Sequence, residues 1–327
     1  MRRLAALALR RLLQAIPTLA IILVGLFLLL QLAPGDTVDA LMAQMGGGDA
    51  EAASRLREFY GLDAPVLVQL GRYLLRLVQF DLGFSSIYGK PVATVIGERL
   101  IVTALFMTTA LCFAFSAGLV LGVLAARRVN GWPDTLISTL GLVFYAIPSF
   151  WLGLMMIVLF SVKLAWLPPG GFGTVGEDIA GIALVFDIAK HLVMPVVSLA
   201  LIFLAIYLRL MRASMLEVMS LDFVRTARAK GLAEGKVLRR HVLRNALLPM
   251  VTFVGLQTST MLGGSVVVES VFSLPGLGRL AYESVAQRDL NMLLGIVLVS
   301  AIMVVVVNFI VDLLYAKLDP RIGTGAA

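Results

Sequence analysis

The sequence predicts an all-α integral membrane protein with six transmembrane helices, both termini cytoplasmic, and an outer loop domain after helix one. Three observations predict it. Of 327 residues, 60% are hydrophobic and only 14% charged, whereas a soluble domain carries roughly 25% charged residues. Six stretches without Asp, Glu, Lys or Arg are long enough, or nearly so, to cross a bilayer. The basic residues between those stretches fall predominantly on one side.

The first window holds 24 residues between Arg11 and Asp36 and gives a span within residues 1–33. Its apolar run is longer than the roughly 7–15 residues of a signal-peptide core, and no clear small-residue cleavage site follows, so it is read as an uncleaved helix. Residues 34–98 form the outer, periplasmic loop. Within it Val66, Leu70, Tyr73, Leu74, Leu77 and Val78 recur at helical spacing, with Arg72, Arg76 and Gln79 on another face. That pattern predicts a helix from Pro65 to Phe80 lying on or near the outer membrane surface.

A five-helix core occupies residues 99–315. Windows of 27, 28, 18, 24 and 22 residues predict spans near 100–126, 135–162, 192–210, 247–268 and 290–311, since a crossing needs about 20 apolar residues. Barrel strands are excluded because they would alternate polar and apolar over about ten residues. Residues 164–176 contain Pro168, Pro169, Gly170 and Gly171 and cannot span. Gly118 and Gly122 form a GxxxG that favours close helix packing. The segment 211–246 reads as helix to Lys230, a break at Gly231, and a short basic helix through Arg244, with Pro249 just inside the fifth span. Residues 316–327 form a cytoplasmic tail.

Charge orients the bundle. With both termini inside, 17 of the 27 basic residues and only six of the 20 acidic ones face the cytoplasm, as the positive-inside rule requires. The net charge of +7 is thereby explained by topology and anionic lipid, without nucleic acid.

Catalytic chemistry is not assembled. His191 and His241 fall on opposite sides and read as surface or interface residues. Cys112, the single cysteine, reads as a buried, inert thiol. Glu269 and Asp312 lie near span ends, where headgroup solvation suffices. Gly231 to Lys236 imitates a phosphate loop, but the spacing is one residue short and no Ser or Thr follows the lysine. Gly276 to Ala281 imitates a dinucleotide fingerprint, yet it follows a membrane span and reads as a loop turn.

Seven segments carry a resemblance: LAPGD (Leu32–Asp36), AARR (Ala125–Arg128), IPSFWLG (Ile147–Gly153), RASMLE (Arg212–Glu217), DFVRTARAKG (Asp222–Gly231) with RRHVLRNALLP (Arg239–Pro249), FSLPGLGR (Phe272–Arg279) and LLYAKLDPR (Leu313–Arg321). In this order they resemble the dipeptide/oligopeptide/nickel permease family of ABC importers, and specifically the first of its two permease subunits. The general importer pattern E-A-A-x₃-G has Arg225 and Thr226 in place of its Glu and first Ala here, while Ala227 and Gly231 match.

The resemblance implies a binding-protein-dependent permease in the bacterial inner membrane, moving dipeptides or oligopeptides, with nickel chelates and glutathione among the alternative cargoes. It implies a second, non-identical permease, two ATPase subunits and an extracytoplasmic substrate-binding protein as partners. This chain would carry no cofactor, with ATP and Mg on the partner subunits. Arg225, Thr226, Ala227, Arg228, Ala229, Lys230, Gly231, Leu248 and Pro249 would form the ATPase-coupling segment. Small residues there allow close approach, basic ones orient on an acidic rim, and Gly231 permits the turn. Pro148 and Ser149 are either a gating kink or a kink tolerated inside the bundle. Pro275, Gly276 and Gly278 are either a rigid outer turn or a gate. The rival reading is a self-contained secondary transporter or channel, for which internal repeats and interrupted spans would be expected.

Overall fold

The computed structural model describes residues 2–32, 35–44, 47, 49–176 and 179–318. Residues 33 and 34 of the LAPGD segment and residues 319–327 of the tail lie outside the described residues.

The chain divides into two compact units. The first comprises Met1–Val102 with Pro275–Val305, the second Thr103–Leu274 with Val306–Ala327. The helices in chain order are α1 (Arg2–Leu32), α2 (Thr37–Gln44), α3 (Ala50–Tyr60), α4 (Val66–Val78), α5 (Val92–Arg127), α6 (Trp132–Ala146), α7 (Ser149–Met156), α8 (Ile182–Met219), α9 (Asp222–Ala229), α10 (Glu234–Val237), α11 (Leu243–Val271), α12 (Leu277–Ala286) and α13 (Leu290–Leu318). A two-residue antiparallel ladder joins β1 (Phe84–Ser85) to β2 (Lys90–Pro91). Wide π turns follow α7 over Ile157–Lys163 and α10 over Leu238–Val242.

Among the described residues, four helices are individually long and apolar enough to cross a membrane: Val92–Arg127, Ile182–Met219, Glu234–Val271 and Leu290–Leu313. The count reaches six if two bent pairs each make one crossing. These are Ile16–Leu32 with Thr37–Ala43, bent by 50°, and Trp132–Ala146 with Ser149–Lys163, bent by 99°. The third window is therefore not one straight helix over 135–162. Ile147, the residue before Pro148, holds an extended φ/ψ of −80°/125°, because the proline ring disfavours the helical region for its predecessor.

In the first unit, α4 covers Val66–Val78, within the stretch 65–80 whose periodicity predicts a helix, and α2 and α3 precede it. Its Tyr73 packs with Leu23 and Phe27 of α1 and Leu294 of α13 in one core cluster. A second cluster gathers Val92, Val95 and Ile96 of α5 with Leu277, Leu280, Met292 and Ile296. Polar ties hold the loop. Arg57 donates to Asp36 at 2.7 Å and to Asp39 at 2.5 Å, and Thr37 donates to the Arg288 carbonyl at 2.8 Å.

The second unit is built around α8. Gly118 and Gly122 of α5 lie directly on it: a Cβ at Gly118 would stand 2.6 Å from the Tyr207 Cβ, and one at Gly122 2.6 Å from the Met211 Cβ and 2.8 Å from the Leu208 carbonyl. Real side chains do not approach that closely, so only glycine allows this helix contact. After the π turn, the loop closes on the end of α11. The Gly171 N–H donates to the Phe272 carbonyl at 2.8 Å. A Cβ at Gly170 would stand only 2.2 Å from the same oxygen.

Three sequence expectations need correction. Glu269 is fully buried and accepts a 2.8 Å hydrogen bond from the equally buried Thr103 hydroxyl, so protein, not headgroup solvent, satisfies it. His191 is only 6% exposed, with Nδ1 2.8 Å from the Asp187 carbonyl. Cys112 is exposed on the chain surface, since apolar surroundings in a membrane helix can be lipid as readily as protein.

Gly118→Leu is expected to lower the thermal midpoint of the purified chain by several degrees or to prevent folding. Gly97→Ala, on the same helix with nothing within 4 Å of its Cβ position, should leave it unchanged or raise it. Thermal size-exclusion chromatography measures both.

Candidate functional site

The segment 211–246 is three short pieces rather than two. Helix α8 ends at Met219 and α9 begins at Asp222, so Ser220 and Leu221 interrupt what the sequence reads as one helix to Lys230. Leu221 has an extended φ/ψ of −75°/148° at the N-cap. Inside α9 the Thr226 hydroxyl donates to the Asp222 carbonyl at 2.9 Å.

Residues three and four apart share a helix face. Val224 and Ala227 form the buried face of α9, which lies against α8 and α10. Ala227 is therefore turned into the chain's own body, and small-residue access from outside falls to Ala229 and Gly231. The outward face carries Asp222, Arg225, Thr226 and Ala229, with Phe223 and Lys230 beside it. Arg225 is 72% exposed and stands 3.5 Å from Asp222.

Gly231 follows with φ +76° and open space where a side chain would stand. Its N–H donates to the Arg228 carbonyl at 2.9 Å, and the Leu232 N–H to that of Ala227 at 3.4 Å. This left-handed residue closes α9 and turns the chain into α10. Arg228 bridges the turn, donating to both Glu234 oxygens at 3.1 and 2.8 Å. Its charge is thus shared with the chain's own carboxylate. Leu248 is half-buried and Pro249 exposed, both inside α11.

An ion pair not anticipated from sequence lies behind this segment. Arg212 of α8 donates to Asp134 of α6 through Nε at 2.6 Å and Nη2 at 2.8 Å. Asp134 is only 4% exposed and also accepts from the Asn130 N–H at 2.9 Å and the Ser138 hydroxyl at 3.3 Å. One turn earlier on α8, the Arg209 guanidinium stands 4.6 Å from the centre of the Tyr145 ring. The only sequence signal was Arg212 within RASMLE, with nothing to name a partner 78 positions away.

The other singled-out residues fall elsewhere. Pro148 caps α7 at the 99° bend, with Ser149 the first residue after it. Gly276 is the extended N-cap of α12, with φ −104°, and Gly278 is buried in its first turn. The Pro275–Gly278 turn is thus the packed start of a helix, with Leu277 in a core cluster.

The chain matches the family described as binding-protein-dependent transport system inner membrane component over residues 118–324. It is 41% identical over 320 residues to the oligopeptide transport system permease protein AppB of Bacillus subtilis, covering 97% of this chain and 99% of that one. It is 39% identical over 313 residues to the glutathione transport system permease protein GsiC of Escherichia coli, covering 96% and 97%. Among solved structures, the inward-facing MetNI methionine ABC transporter aligns with a TM-score of 0.56 at 19% identity, over 69% of this chain and 97% of that one.

Removing Arg212 is expected to cost about 3 kcal/mol, because the buried Asp134 carboxylate is left without its cation, and removing Asp134 less, because the Arg212 side chain is 29% exposed. Asp134→Asn and Arg212→Met should each lower the thermal midpoint, and the double variant should lose less than the two combined. Strict additivity in that cycle would show that the two groups do not interact.

Proposed function

The chain belongs to the family of binding-protein-dependent transport system inner membrane components, and from that premise we propose that it is one permease subunit of an ATP-driven importer of small peptides. The observation that carries the cargo class is similarity over nearly the whole length to a permease named for oligopeptides. The relative named for glutathione, itself a tripeptide, fits the same class.

In this reading the six-crossing count holds with each bent pair as one crossing, and both termini and the 211–246 segment lie in the cytoplasm. The excess of basic residues on that side supports it. The path runs between this chain and a second, non-identical permease. A soluble binding protein delivers cargo from outside, and two ATPase subunits bind below and supply ATP and Mg. The chain itself hydrolyses nothing.

Coupling runs through α9. Its outward Asp222–Arg225–Thr226–Ala229 face, closed by the Gly231 turn, is small enough at its centre to enter a cleft and charged at its margin. An ATPase that moves α9 also moves α8, to which α9 is joined by two residues. Closure of the ATPases would then shift the pathway from inward- to outward-facing.

Gly231→Val should preserve membrane insertion while abolishing substrate-stimulated ATP hydrolysis by the assembled complex. A β-branched residue resists φ +76°, and its bulk would stand on the docking face. Arg225→Glu should weaken stimulation less, since an exposed ion pair contributes only about 0–1 kcal/mol. Hydrolysis and transport at matched assembly decide the matter, and unchanged stimulation in the valine variant would sink the docking assignment. In a Cys112→Ser background, a cysteine at Ala233 should resist a membrane-impermeant thiol reagent added from outside.

A further inference from the structure

A cavity of about 370 Å³ opens in the first unit beside α4. Arg72 and Arg76 line it from one face of that helix, with Tyr73, Asn291 and the apolar side chains of Phe27 and Leu294. Neither guanidinium makes a hydrogen bond or ion pair among the described residues. Room for them comes partly from two loop glycines: a Cβ at Gly61 would stand 3.1 Å from the Arg72 Nη1, and one at Gly83 3.7 Å from that of Arg76.

Tyr73 supplies an independent observation. It is 5% exposed, stacks on Phe27 with ring centres 6.3 Å apart, and has a buried hydroxyl without a partner among the described residues. Burial pushes its pKa up to about 12, so the hydroxyl keeps its proton and remains a donor. A buried polar group is normally hydrogen-bonded. Asp289, the one carboxylate among the cavity's described lining residues, is already engaged, accepting from the Ser85 hydroxyl and, at 3.0 Å, from the Met292 N–H.

We propose that this cavity binds the phosphate of an anionic phospholipid of the outer leaflet, between Arg72, Arg76 and the Tyr73 hydroxyl. Two cationic forks and a neutral donor suit a phosphodiester. The lipid source follows from the walls. Phe27 and Leu294 belong to the apolar helices α1 and α13, and α4 carries an outward apolar stripe of Leu67, Leu75 and Val78, exposed by 77%, 66% and 79%. Around the helix that stripe adjoins the arginine face, so a headgroup on the arginines has acyl chains alongside apolar side chains. The proposal rests on the outward placement of residues 34–98.

The test uses the full chain, assembled with its partners in phosphatidylcholine nanodiscs containing photoactivatable phosphatidylglycerol. Irradiation should place adducts on residues 61–79 and 290–294, competed by unlabelled phosphatidylglycerol. Arg72→Ala/Arg76→Ala should lower the competable labelling roughly tenfold, as expected for losing charge-assisted hydrogen bonds. Tyr73→Phe, which keeps the ring stack, should weaken it less, and Arg72→Lys/Arg76→Lys should retain part of it. The two conservative variants decide the question if the double alanine fails to assemble. Equal labelling by a photoactivatable phosphatidylcholine, or undiminished labelling in all three variants, would overturn the proposal. Displacement by inorganic phosphate or alanyl-alanine would also overturn it and assign the arginines to a soluble anion. A cysteine at Gly61, probed with an outside-only thiol reagent, tests the outward placement separately.

Discussion

The chelate between Asp134 and Arg212 is the interaction on which the end of the second unit nearest α9 depends. A carboxylate with almost no solvent contact keeps its charge only because a guanidinium and a backbone N–H face it. The pair joins the first turn of α6 to the last third of α8. Those two helices lead to the two features most relevant to transport: α6 runs to the Pro148 bend, and α8 runs to α9. The Arg209–Tyr145 contact makes a second attachment along the same seam. In the proposed coupling cycle, displacement of α9 is therefore delivered to the broken third window through a polar link between side chains, besides the packing of apolar surfaces.

Apolar surfaces alone would make a poor link. Inside a bilayer, lipid is as good a neighbour for Leu or Val as another helix, so association leans on close approach and on polar contacts. The second unit uses both. Gly118 and Gly122 bring the backbone of α5 onto α8, while Thr103 and Glu269 pair α5 with α11. The loop glycines Gly170 and Gly171 seat on the Phe272 carbonyl and fix where the chain leaves α11.

The sequence made much of this legible for definite reasons. Long charge-free windows located the apolar helices because charge in lipid is costly. The periodicity from Val66 to Val78 located α4, and Gly231 marked the end of α9 because a left-handed turn has few other occupants. What stayed hidden required tertiary knowledge. Pro148 announces a kink, but its 99° size depends on what packs around it. Nothing local pairs Glu269 with Thr103 or Asp134 with Arg212. The inward turn of Ala227 has no local signature, because a small residue suits either a docking face or a packed one. The apolar run around Cys112 suggests a buried thiol, but apolar neighbours do not imply burial when the solvent is itself apolar.

The π turn over Leu238–Val242 has a consequence for how this stretch can vary. A π turn holds one residue more than the α-helical turn it replaces, so it sets the rotational phase between the basic helix start at Glu234 and the apolar run that follows. Deleting one residue there would let the turn close as regular α-helix with its two ends still in phase, whereas the same deletion in the regular part of α11 would rotate one end against the other by about 100°. Val237 and Val242, both fully buried, are five positions apart and share a face across the wide turn, as residues four apart do in an α-helix. The turn is thus the place along this stretch where the chain can lose a residue and keep that phase, whereas a change of length within α11 shifts every later side chain.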